Sequence, residues 1–145
     1  MASESRLSVY LRTMHRLESL IESLRIGPPR DAYRARQELI GFGRAAESPL
    51  VHLLTELKDA HRILEVLAVL QDVKISASPS VDAVVRLLSH KNMLVRRAAA
   101  HCLLASSPKL RRVLPQIRAA HGVEKEADVL ATLQKLLDRY PVDAA

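Results

Sequence analysis

Ser-Pro recurs at Ser48-Pro49, Ser78-Pro79 and Ser107-Pro108, at intervals of 30 and 29 residues. Serine suits the cap before a helix and proline suits its first turn, so each pair predicts a helix start and the near-constant interval predicts a repeated unit. The apolar spacing agrees with this. Leu50, Leu53, Leu54 and Leu57 follow the first pair, Val81, Val84, Val85 and Leu88 the second, and Leu110, Val113, Leu114 and Ile117 the third, each a one-sided stripe of helical period. Polar breaks close these short first helices at Lys58-Asp59, at His90-Lys91-Asn92 and at Gly122, with Asp59 and Asn92 placed to cap a second helix. Second helices are expected over about 59–72, 92–105 and 124–140.

The second helices differ from one another. Ile63 to Leu70 is apolar at every position except Glu65, which predicts a helix covered by neighbours on both sides. The next has a core stripe of Val95, Ala98, Ala99, Cys102 and Leu103, and the last a stripe of Ala127, Leu130, Leu133, Leu137 and Tyr140 before the stop at Pro141. Upstream, Leu7, Tyr10, Leu11, Met14, Leu17, Ile21 and Leu24 predict a long amphipathic helix ending before Gly27-Pro28-Pro29. A second helix follows over about 30–45, with its stripe at Tyr33, Leu39, Ile40 and Phe42. Pro115 predicts a kink inside a first helix. The expectation is one domain over 1–145, built of eight helices in four antiparallel pairs, approximately 4–46, 48–73, 79–106 and 107–140.

Composition supports an all-helical core. Hydrophobic residues make up 48% of the 145 but aromatics only 3%, so the core is drawn from Leu, Val, Ile and Ala, as suits helix packed on helix. The lone Cys102 excludes an internal disulfide and sits in an apolar pattern, where a buried thiol is expected. The N-terminus has no basic region followed by an apolar run, and no 18-residue apolar stretch occurs, so the expectation is a cytoplasmic protein that meets no membrane.

The segment from Asn92 through Val95-Arg96-Arg97-Ala98-Ala99-Ala100 to Leu103 resembles the second helix of a HEAT repeat. Ala35 to Gly43, followed by Ser48-Pro49-Leu50 and Leu53-Leu54, is similar to the end of one such repeat running into the next. With a period near 30, the resemblance is to the short HEAT variety and spans nearly the whole chain. It implies an all-α, right-handed α-solenoid used as a scaffold, with an Asp–Arg ladder between repeats. Arg96 matches the ladder arginine, whereas Asn92 stands where the family has Asp, and Arg62 lies at a different offset from Asp59.

A search for chemistry finds binding features only. The six histidines include no His-x-x-x-His or Glu-x-x-His pair, so no metal is expected; no Gly-x-Ser-x-Gly or glycine-rich phosphate loop is present, and no catalytic residue or cofactor is assigned. Charge is the exception. The net charge is +6, and between Asp82 and Glu124 there is no acidic residue while Arg86, Lys91, Arg96, Arg97, Lys109, Arg111, Arg112 and Arg118 all fall there. These eight form the candidate binding patch, on repeats three and four. The expected function is a non-catalytic protein-binding scaffold whose concave surface and basic patch meet an acidic protein partner. The alternative is a nucleic-acid binder, of which HEAT-like DNA glycosylases are the enzymatic example. Self-association through the first or last helix is also expected to be open to it.

Overall fold

The structure, a computed structural model, describes residues 4–106 and 110–141. It contains α1 (Arg6–Ile26), α2 (Pro29–Phe42), α3 (Glu47–Glu56), α4 (Ala60–Val73), α5 (Ser78–Arg86), α6 (Met93–Ala105), α7 (Leu114–Val123) and α8 (Ala127–Asp138), and no strand among the described residues. Short 3-10 turns at Gly43–Ala46, Leu87–Ser89 and Arg111–Val113 adjoin α3, α5 and α7. Because the first of these joins α2 to α3 without a break, the described backbone forms seven unbroken helical stretches in place of the eight separate helices expected.

Each helix packs on its successor within a pair: α1 on α2, α3 on α4, α5 on α6, α7 on α8. The even-numbered helices also touch in sequence, α2 on α4, α4 on α6 and α6 on α8, while α1 meets α3 and α3 meets α5. One continuous apolar core lies between the two rows. Its members follow the helical stripes closely: Leu50, Leu53 and Leu54, then Val81, Val84, Val85 and Leu88, then Leu110, Val113, Leu114 and Ile117 are all buried. Asp59 and Asn92 cap α4 and α6 as their positions predict, accepting from the backbone N–H of His61 and Leu94 at 3.0 and 2.8 Å.

Other expectations are corrected. Neither Ser48 nor Ser78 is a cap: Ser48 and Pro49 lie in the first turn of α3, and Ser78 is the first residue of α5 after Ala77. Ser107-Pro108 lies outside the described residues. The start of α5 is held by Glu47 instead. Its carboxylate, buried at 5% exposure, accepts from the backbone N–H of Ser76 and Ala77 at 3.1 and 3.0 Å and from the hydroxyls of Ser76 and Ser80 at 2.9 and 2.5 Å. Burial pushes this carboxyl's pKa up, yet the accepted hydrogen bonds outweigh it and hold the group below the usual carboxylate range. Pro115, expected inside a first helix, sits in the first turn of α7, just after the 3-10 turn Arg111–Val113, where the tighter turn gives way to the α-helix. Gly122 falls within the last turn of α7, which ends at Val123.

Two stripes shift. On α8 the buried residues are Val129, Thr132, Leu133 and Leu136 with Tyr140 beyond, leaving Ala127 exposed and Leu130 and Leu137 half-buried. On α2 they are Ala32, Ala35 and Leu39, the two alanines small enough to let neighbouring helices approach, while Tyr33 stands 60% exposed. The long α1 outruns its partner: it has 21 residues against 14 in α2, so its first turns have nothing to pack on. Leu17, Leu20, Ile21 and Leu24 are buried there, but Leu7, Tyr10 and Leu11 are exposed. Glycine is required at the α1–α2 turn, because a Cβ at Gly27 would lie 2.5 Å from the Ser23 carbonyl oxygen. Gly43 ends α2 at a φ of 59°, open to glycine at little cost.

Candidate functional site

The structure gives the eight basic residues of the window different surroundings. Arg96 leaves α6 to make a two-pronged ion pair with Glu124, Nε to Oε2 at 2.9 Å and Nη2 to Oε1 at 3.2 Å. Its Nη1 donates to the carbonyls of His90 and Lys91 at 2.9 and 3.2 Å. The pair is sheltered, with side-chain exposures of 19% and 3%, and although burial raises the Glu124 pKa, Arg96 and two backbone N–H groups hold it below the ordinary range. Arg96 therefore braces the α5–α6 turn against the start of α8. Arg97 faces Asp128 at 3.6 Å, Arg112 meets Asp82 at 2.8 Å, and the Arg111 guanidinium lies 5.6 Å from the centre of the Tyr140 ring. Lys109 lies outside the described residues. Arg118 is exposed and has no ion pair among the described residues.

The acids that consume these arginines flank the basic window in sequence. Asp82 precedes it, and Glu124 and Asp128 follow it. Packing of successive helices brings both flanks onto the window, so three of its eight positive charges meet a carboxylate in space.

Arg86 and Lys91 are likewise without an ion pair among the described residues. Both line a cavity of about 480 Å³ over the adjacent ends of α3 and α5, together with Lys58 and His90. Its apolar floor is Leu54, Leu57, Ile63, Ala83 and Leu87. Such a volume, with an apolar lining and a few convergent polar groups, suits a binding site. The side chains of Lys58, Arg86 and Lys91 are exposed and make no ion pair among the described residues. His90 Nδ1 accepts from the Asn92 N–H at 3.0 Å, which leaves Nε2 to carry the proton of the neutral ring. Four nitrogen-bearing side chains and no carboxylate line this cavity, so it offers an electropositive rim above an apolar base.

Lys58 and His90 were not among the candidates read from sequence. The signal was present: Lys58-Asp59 and Lys91-Asn92 occupy the same turn in successive units, each just before a capped second helix. Stacking those units is what places the two lysines around one cavity.

Elsewhere chemistry is quiet. Cys102 is fully buried, and burial, with a smaller contribution from the Glu47 charge, pushes its thiol up to about 12. Among the described residues no three His, Cys, Asp or Glu side chains gather to hold a metal, and no helix is long and apolar enough to cross a membrane. Compared with family models, with curated proteins and with solved structures, the chain matches none.

Proposed function

We propose that this chain is a non-catalytic protein-binding scaffold of the HEAT type: about four antiparallel helix pairs stacked as a right-handed α-solenoid, carrying a basic surface that captures an acidic protein partner. The two rows of helices around one core support the architecture. The observation that carries the function is the set of unpaired cations, Lys58, Arg86 and Lys91, held around an apolar-floored cavity while neighbouring arginines are spent on Asp82, Glu124 and Asp128. Free charge beside apolar surface supplies steering and burial at one place.

The competing reading is a nucleic-acid binder, favoured by the net charge of +6. Both are tested with one variant, Lys58→Glu, Arg86→Glu and Lys91→Glu combined, against a control with the same charge change at Arg30, Arg34 and Lys125. Pull-downs from the native lysate are expected to lose specific proteins with the variant and keep them with the control. Anisotropy of a labelled DNA duplex at two salt concentrations is expected to show no tight binding. Partners unaffected by the variant, or duplex binding that weakens steeply with salt, would overturn the scaffold reading.

A further inference from the structure

In the odd-numbered row of helices, ion pairs close the junctions on either side of the α3–α5 junction. Arg25 of α1 pairs with Glu56 of α3, and Arg112, just before α7, pairs with Asp82 of α5. Among the described residues no ion pair crosses from α3 to α5; they are tied only at one end, where Glu47 binds Ser80 and the residues before α5. The surface opens along the whole junction, from this tie to the far ends of α3 and α5. The basic cavity shares Thr55, Ala83 and Arg86 with a second of about 380 Å³, which shares Ser48, Val51 and Pro79 with a third of about 300 Å³. The three make one groove along the α3–α5 junction.

We infer that this groove takes a short extended segment of the protein partner, with apolar side chains along α3 and α5 and one or two carboxylates at the end that meets Lys58, Arg86 and Lys91. The inference rests on the scaffold reading and specifies its partner. The length follows from α3: ten residues at 1.5 Å give about 15 Å, room for four or five extended residues. The direction follows from charge. At the Ser80 end the Glu47 carboxylate is already saturated by donors, and midway Asp82 is neutralised by Arg112, so neither calls for a ligand charge. Three free cations cluster around the cavity at the far end, against the single Arg44 at the Ser80 end, which fits a compact acidic group there better than an evenly charged backbone.

The probe is a fluorescein-labelled pentapeptide with two leucines separated by a serine and then two aspartates, titrated into the full chain and read by anisotropy. Binding is expected, with a loss of at least about tenfold for the combined Lys58, Arg86 and Lys91 charge reversal and for a peptide whose leucines are replaced by serine. Thr55→Trp is expected to weaken binding as much, because this exposed residue lines two of the cavities and a large ring there fills the groove without changing charge. Unchanged melting temperatures show that these surface variants fold. If charge reversal abolishes binding while Thr55→Trp and the serine peptide leave it intact, the groove inference is overturned and the acidic-partner reading stands. If the peptide does not bind while the charge reversal still strips partners in pull-downs, the groove is again overturned alone. If neither peptide nor partner responds to charge reversal, both fall.

Discussion

Glu47 is the residue on which the most local structure depends. One carboxylate satisfies two backbone donors and two hydroxyls at the entrance to α5, with its side chain buried. Glu47→Ala leaves those donors unpaired and is expected to cost about 2–3 kcal/mol, read as a lower denaturation midpoint in urea. The pH dependence has a definite sign. The folded-state pKa lies below its ordinary value of 4.5, so the contribution is fully present above that value and is lost as pH falls through the depressed pKa. Wild type is therefore expected to lose more stability than Glu47→Ala between about pH 5 and 3. This role was not legible from sequence, where the neighbouring Ser-Pro pairs attracted the capping assignment. Serine capping is a local pattern, while Glu47 reaches across about 30 residues to the next unit.

At the scale of the element, α1 divides into two halves that its sequence does not distinguish. The apolar spacing is continuous from Leu7 to Leu24, but only the half opposite α2 has a partner to bury it. Leu17→Ala is expected to destabilise by about 2–5 kcal/mol, whereas serine at Leu7, Tyr10 and Leu11 is expected to change stability by no more than about 0.5 kcal/mol per site. Parallel chemical denaturation curves measure both. Equal effects from the two halves would show that the first turns of α1 are covered.

For the molecule as a whole, the order of packing predicts an order of protection. α4 touches α2, α3 and α6, and α6 touches α4, α5 and α8, so these two helices are enclosed by neighbours on both sides. Amide hydrogen exchange is expected to be slowest in α4 and α6 and fastest in the first turns of α1. The run from Ile63 to Leu70, apolar except at Glu65, announced the enclosure of α4 in advance. The charge arrangement gave no such warning. Arg96, Arg97 and Arg112 of the basic window meet acids about 28 to 31 residues away, while Arg86 and Lys91 line a cavity.

By itself the sequence determined the helical class, the stripes of α3, α5 and α7 that enter the core, and the caps at Asp59 and Asn92. Each of these depends on residues within a turn or two of one another, and helical periodicity is a property of consecutive positions. Only the tertiary structure decided which cations stay free, that Lys58 joins Arg86 and Lys91, and that Glu47 holds α5. Pairing of charges depends on distance through space, and that distance is set by how one helix pair stacks on the next.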